Sequence, residues 1–224
     1  MVAQAQTLEN CNMKLMHKGL QRSGTNLAET LIRKAFGITL WSTKKPRPKG
    51  VAEKHKLIAP DTPLDDTTLL VLLKNPYAWI VSIYAWRVTA KANGTALPEV
   101  KEPVTWNRGE MDAVIQQYNG HHRNWLTQRC EVVAVRCEDV ILDVDALIAP
   151  LEAALGRKRK ATVRLPKNAV QAGHAKYETS LFDTAYYTEH AYLERLTEGQ
   201  HAQITDNIDW DLFKGLYTPV GVSG

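Results

Sequence analysis

The segment GLQRSGTN at residues 19–26 constrains the fold of this chain more than any other part of its sequence. It follows a short apolar run at residues 13–16 and precedes apolar residues at the spacing of one helix face, namely Leu27, Leu31, Ile32, Ala35 and Phe36. Gly37 then predicts the end of that helix. A glycine-containing turn between a buried strand and a helix is typical of α/β folds, in which N–H groups at the helix start face an anion. The order therefore predicts a strand, an anion-binding loop and a helix that begins near Thr25.

Two further apolar runs, at residues 69–73 and 132–135, are each followed by a polar turn and a helical pattern. This order predicts parallel strands with crossover helices. Further helices are expected from Pro76, at residues 111–128 and 144–155, and twice between residues 184 and 213. With 224 residues, we expect a single domain, a three-layer α/β sandwich with a central parallel sheet.

Composition narrows the class of protein. The apolar fraction is 44%, the charged fraction is 23%, and no apolar run approaches a membrane span of roughly 20 residues. The first residues lack the basic-then-apolar order of a secretory signal, so we expect a cytoplasmic protein without a membrane partner. Three irregularly spaced cysteines predict neither disulfides nor a metal site. A net charge of +4 favours a small anionic ligand over nucleic acid.

The spacing inside the first loop indicates which anion it can bind. Gly19 and Gly24 are five positions apart, as in the nucleotide-binding pattern G-x-x-x-x-G-K-[ST]. Thr25 occupies the position of the lysine that reaches the β and γ phosphates, which argues against ATP or GTP hydrolysis. The alternative is a structural turn with Ser23 and Thr25 near a helix cap.

The residues Arg22, Ser23, Gly24, Thr25 and Asn26 resemble the [KR]-S-G-T-[TN] loop of the sulfotransferases. In that family the loop binds the 5′-phosphosulfate of 3′-phosphoadenosine 5′-phosphosulfate. The resemblance implies a P-loop type of fold, this donor as co-substrate, 3′-phosphoadenosine 5′-phosphate as its product, and these five residues as donor-binding.

Lys74 and Ser82 extend the resemblance. They are similar to the family's 3′-phosphate motif, in which a basic residue leaves a strand and a serine follows eight positions later. The family usually has arginine at the first position. Lys74 therefore lacks the planar guanidinium that donates two parallel hydrogen bonds, and its ammonium acts as a point charge. The alternative is a solvated lysine at a strand end and a serine that packs a helix.

A weaker match covers residues 132–140, VVAVRCEDV, which resembles the family's strand ending in R-Y-E-D-L. Cys137 stands where the family has tyrosine. The resemblance implies that Glu138 and Asp139 are structural and not catalytic. The tail through residue 212 is also similar to the family's closing helices.

Transfer of a sulfuryl group needs a base for the acceptor and a cation for the charge on the leaving oxygen. We expect Arg22 to supply the cation and His55 the base, because cytosolic members of the family carry a K-x-H segment whose histidine is the base. Lys54 directly adjoins His55, unlike that pattern. Glu53 is the fallback base, and His121 and His122 are rivals.

The acceptor, a small molecule or glycan that offers a hydroxyl or amine, would be selected by the loops at residues 42–66 and 87–109. The basic run at residues 156–160 either contacts phosphate or lies in solvent. Two other functions stay open: a nucleotide-dependent phosphotransferase of the same fold, and a nucleotide-binding module without catalysis.

Overall fold

The computed structural model describes residues 14–40, 53–93, 103–166 and 184–221. Within these ranges, three strands form one parallel sheet in the order β1 (Lys14–Gly19), β2 (Thr67–Leu73) and β3 (Glu131–Arg136). Gly19 pairs with Leu72, and Leu73 pairs with Arg136. The carboxyl ends of all three strands therefore meet at one edge of the sheet.

Helices connect and follow these strands. The α-helices are α1 (Thr25–Phe36), α2 (Pro76–Asn93), α3 (Arg108–Leu126), α4 (Cys137–Leu142), α5 (Asp145–Ala154), α6 (Thr184–Thr188) and α7 (Glu198–Asn207). Short 3-10 helices cover Glu53–His55, Ala191–Arg195 and Trp210–Phe213.

The sheet separates two hydrophobic clusters because successive side chains of a strand point to opposite faces. Leu69, Val71 and Leu73 of β2 pack with apolar residues of α2, α3 and α7. Leu70 and Leu72 pack with those of α1, α4 and α5. The predicted α/β class and parallel sheet are confirmed, with helices on both faces.

Several boundaries differ from the predicted ones. Strand β1 runs on to Gly19, because the polar residues His17 and Lys18 are buried within it. Helix α2 continues to Asn93, because no helix breaker precedes the Asn-Gly pair at residues 93–94. The predicted loops at 42–66 and 87–109 fall partly on residues 42–52 and 94–102, outside the described residues. None of the helices in the described ranges has the length and hydrophobicity that crossing a bilayer requires.

Candidate functional site

The glycine loop, residues 19–24, connects β1 to α1 at the carboxyl edge of the sheet. Gly24 has a φ of 80°, and a Cβ there would lie 2.5 Å from Cys137 Sγ. A Cβ on Gly19 would lie 2.7 Å from Ser23 Oγ and 3.0 Å from the Leu72 carbonyl oxygen. Both positions exclude larger residues, so the predicted spacing of the two glycines has a steric basis.

Hydrogen bonds fix the shape of the glycine loop. The Leu20 carbonyl accepts from the backbone N–H of Ser23 at 3.2 Å and from its hydroxyl at 2.6 Å. Ser23 is fully buried. Trp79 Nε1 on α2 donates to the Gln21 carbonyl at 2.8 Å. Ser23 thus shapes the loop, and α2 holds its tip in place.

The start of α1 presents free backbone donors. The first helical hydrogen bond joins Ala28 N–H to the Gly24 carbonyl, and Gly24 has no side chain to cap the helix. Within the described ranges, the N–H groups of Thr25, Asn26 and Leu27 have no acceptor. Free N–H groups and the positive end of the helix dipole together favour an anion.

Arg22 reaches across from the glycine loop to α2. It has a φ of 71°, and its Nε donates to Ser82 Oγ at 3.4 Å. Ser82 lies one turn after Trp79, on the face of α2 that contacts the loop. Arg22 as a whole residue is exposed, although desolvation by the surrounding protein lowers the pKa of its guanidinium. No carboxylate of the described residues pairs with it.

Lys74 follows β2 directly and is only 5% exposed. Its Nζ lies 5.3 Å from the ring centre of Tyr187, and within the described residues no carboxylate or carbonyl accepts a hydrogen bond from it. Burial lowers its pKa, Cys137 and Glu138 oppose that shift, and Arg22 adds to it. Lys74 and Arg22 are therefore within electrostatic range of each other. A buried cation without a partner is costly, so this position favours an anionic ligand.

Glu138 stabilises the residues that connect β2 to α2 beside the site. Its carboxylate accepts from the Asn75 N–H at 2.8 Å and from the Tyr217 hydroxyl at 2.8 Å. The Asn75 side chain in turn accepts from Tyr77 N–H at 3.1 Å at the start of α2. Asp139 lies 3.5 Å from Arg136 Nε. These contacts favour the structural role expected of the two carboxylates.

Cys137 begins α4 and packs under Gly24. Burial raises the pKa of its thiol to about 12, so it is protonated at neutral pH. It and Cys130 are free. The described part of the chain contains no group of three or more His, Cys, Asp or Glu arranged to hold a metal ion.

His55 contacts the first residue of the glycine loop. Its Nδ1 lies 2.6 Å from the Gly19 carbonyl oxygen. Because a carbonyl only accepts, Nδ1 carries a proton, and Nε2 of the neutral ring has a free lone pair. Desolvation is the main cause that lowers the pKa of His55, the Gly19 hydrogen bond opposes it, and Lys54 and Lys18 add to the lowering. A neutral imidazole with an available Nε2 is suited to accept a proton.

The residues around His55 have different roles. Lys54 is buried and contacts Asn26 Oδ1 and, at 3.5 Å, Glu29. It therefore orients Asn26 at the start of α1. The Glu53 side chain lies outside the described residues.

The rival histidines on α3 point in different directions. His122 is buried, donates from Nδ1 to the Tyr118 carbonyl at 2.8 Å, and has a pKa lowered to about 3 by desolvation. His121 is half-buried and lies within electrostatic range of His55. His121 is thus the member of the pair that lies beside the site.

The basic run at residues 156–160 is at the other end of α1. Arg159 pairs with Asp145 and, at 3.1 Å, with Glu152. Lys160 N–H donates to the Ala35 carbonyl at 2.7 Å. Twelve helical residues correspond to about 18 Å, so in this arrangement the run lies away from the glycine loop.

Tyr186 and Tyr187 on α6 are site residues that sequence reasoning missed. Lys74 interacts electrostatically with Tyr186, and its Nζ lies 5.3 Å from the ring centre of Tyr187. Burial raises the pKa of Tyr187, and Arg22 opposes that shift. No spacing or motif connects them to the loop, because about 110 positions lie between β2 and α6.

Comparisons of the chain with protein-family models, with curated proteins and with solved structures found no match in any of the three.

Proposed function

We propose that this chain is a sulfotransferase with a P-loop type of fold, which binds 3′-phosphoadenosine 5′-phosphosulfate. It transfers the sulfuryl group to a hydroxyl or amine of a small-molecule or glycan acceptor. The observation that carries the proposal is Lys74, a buried ammonium without an acidic partner among the described residues, at the end of the strand beside the glycine loop. A site that carries such a cation is suited to an anion that supplies the missing countercharge.

The two cationic positions match a nucleotide with two separate phosphate-bearing ends. Arg22 and the free N–H groups at the start of α1 would bind the 5′-phosphosulfate. Lys74 and Ser82, eight positions apart on β2–α2, would bind the 3′-phosphate. The 3.4 Å hydrogen bond from Arg22 to Ser82 shows that the two groups of residues adjoin each other.

The donor supplies an activated sulfuryl group for an in-line displacement. Nε2 of His55 would take the proton from the acceptor, because the Gly19 carbonyl fixes the opposite nitrogen as the donor. Arg22 would neutralise the charge that develops on the oxygen between phosphorus and sulfur. Asn26 is held by Lys54 at the same helix start.

The two other functions use the same loop and fit less well. A phosphotransferase that binds ATP or GTP would need a cation at the position of Thr25. A module that only binds a nucleotide has no use for a half-buried imidazole with a lowered pKa beside the loop.

Calorimetry with adenosine 3′,5′-bisphosphate, Mg-ATP and Mg-GTP separates these functions. We expect the bisphosphate to bind most tightly. Equal or tighter binding of Mg-ATP, together with no effect of removing the 3′-phosphate, would contradict the sulfotransferase proposal. Binding of the bisphosphate without release of sulfate from the full donor, even with a panel of phenols, sugars and amines, would favour the non-catalytic module.

A further inference from the structure

Tyr187 lies at the edge of the sheet where the carboxyl ends of the strands meet. Its side chain packs against both hydrophobic clusters, although the two clusters lie on opposite faces of the sheet. The helix that carries it, α6, also contacts α4, which begins at Cys137. Tyr187 is therefore placed directly over the ends of the strands, where the glycine loop and Lys74 lie.

The two ends of the Tyr187 side chain have different neighbours. Its ring lies 5.3 Å from Lys74 Nζ. Its hydroxyl is within electrostatic range of the Arg22 guanidinium. Within the described residues, this hydroxyl has no hydrogen-bond partner, and neither does Lys74 Nζ. Tyr187 thus lies near both Arg22 and Lys74, neither of which pairs with a carboxylate of the described residues.

We propose that Tyr187 is a ligand-binding residue, whose hydroxyl donates a hydrogen bond to an oxygen of the anion that Arg22 and Lys74 bind. This inference rests on the proposed function for the identity of the anion, which would be the nucleotide donor. The ring covers Lys74 and shields it from water, and the hydroxyl adds a third donor beside the two charges.

The chemistry of the phenol fits this role. Burial raises the pKa of Tyr187 well above its ordinary value. The group stays a neutral donor at neutral pH and does not repel an anion. A carboxylate at the same place would neutralise Lys74 and Arg22 and close the site to anions.

Calorimetry with adenosine 3′,5′-bisphosphate and with inorganic pyrophosphate tests the proposal on four proteins: the parent, Tyr187→Phe, Tyr187→Leu and Tyr84→Phe. Tyr84, on α2, is the matched control, because its hydroxyl hydrogen-bonds to Thr105 Oγ1 at 2.8 Å in a contact that involves neither cation. We expect Tyr187→Phe to weaken binding on the order of 10- to 100-fold, the effect of one hydrogen bond to a charged group. Tyr187→Leu should weaken it at least as much, and Tyr84→Phe should bind like the parent. Melting curves confirm that each variant is folded.

Unchanged affinity in Tyr187→Phe, or tighter binding in Tyr187→Leu, would overturn the inference, the second result because the tyrosine would then obstruct the site. If the parent binds pyrophosphate but not the bisphosphate, the proposed function fails, and the pyrophosphate series alone decides the role of Tyr187. Absence of binding of both ligands to the parent would overturn both proposals.

Discussion

His55 Nδ1 lies 2.6 Å from the carbonyl oxygen of Gly19, so the candidate base is anchored to the first residue of the glycine loop. The contact joins the 3-10 helix Glu53–His55 to the end of β1 across 36 positions of sequence. It fixes both the ring orientation and the nitrogen that carries the proton. The position of the base and the shape of the loop are therefore coupled.

The first prediction separates the roles of His55 and Arg22. His55→Ala should keep its affinity for adenosine 3′,5′-bisphosphate and lose on the order of 10²- to 10⁴-fold in turnover, the usual effect of removing a general base. Arg22→Ala should lose both affinity and turnover, because its charge would act on the bound donor and on the transition state. Calorimetry and single-turnover sulfuryl transfer measure the two quantities.

The control for this prediction is His121→Ala, which should retain most of the turnover. If His55→Ala turns over like the parent while His121→Ala or Glu53→Ala is inactive with its affinity intact, the base is one of those residues instead.

The sequence predicted the elements of this site whose signal is local. The glycine spacing at residues 19–24 and the turn after β2 each depend on neighbouring residues, and the structure shows the steric reason at Gly24. The buried polar end of β1, at His17 and Lys18, could not be predicted, because its environment is supplied by residues far away along the chain.

Residues that converge through tertiary packing were the hardest to predict. Nothing near Tyr187 in the sequence indicates that its ring lies on Lys74. Helix α4 was also missed as a separate element, because it follows β3 without a connecting turn and is only six residues long. Short elements give too little periodicity to be recognised.

The second prediction concerns Gly24. Gly24→Ala should destabilise the fold more than Gly156→Ala does. Both glycines have positive φ, 80° and 56°, and alanine in that region costs about 1–2 kcal/mol. Only at Gly24 would the new Cβ also meet Cys137 Sγ, at 2.5 Å, whereas nothing lies within 4 Å at Gly156. Urea unfolding measures the difference.

The same comparison in a Cys137→Ala background tests whether the contact with Cys137 causes the extra loss of stability. In Cys137→Ala the atom that clashes is gone, so the extra cost of Gly24→Ala should shrink towards that of Gly156→Ala. Equal costs of the two alanine substitutions in the parent would show that the loop adapts without strain.

The third prediction concerns pH. The pKa of His122 is lowered to about 3 in the folded protein against an ordinary 6.5. Below pH 6.5 the unfolded chain therefore binds a proton that the folded protein does not, and the free energy of unfolding falls as pH falls from 6.5 towards 3. The slope is up to about 1.4 kcal/mol per pH unit for one histidine. His122→Phe should flatten it, since the site is lined by the rings of Tyr118, Trp125 and Phe213.

Urea midpoints at pH 7 and pH 5 measure this slope in both proteins. His17, whose pKa is also lowered to about 3 by burial, should maintain part of the slope in the variant. Identical slopes in the parent and in His122→Phe would mean that His122 gains access to water or a partner on protonation.

The fourth prediction is a gain of stability. Lys74→Met should raise the free energy of unfolding at pH 7, because it removes a buried charge that has no partner among the described residues and retains the apolar stem. Since the folded pKa of Lys74 is lowered, the parent should gain stability as pH rises through that pKa, and the variant should lack this gain. Urea unfolding between pH 7 and 10 measures both effects, and a less stable variant at pH 7 would show that Lys74 serves the fold.

The proposed donor site is tested most directly by calorimetry on the parent and on Lys74→Met. The affinity of each protein is measured for adenosine 3′,5′-bisphosphate and for adenosine 5′-phosphate. The parent should bind the bisphosphate more tightly than the 5′-phosphate. The variant should lose about 1.5–3 kcal/mol of binding free energy for the bisphosphate, as expected for a hydrogen bond to a charged group. Its binding free energy for the 5′-phosphate should hardly change. A parent that does not distinguish the two ligands, or a variant that loses equal affinity for both, would contradict a 3′-phosphate site at Lys74.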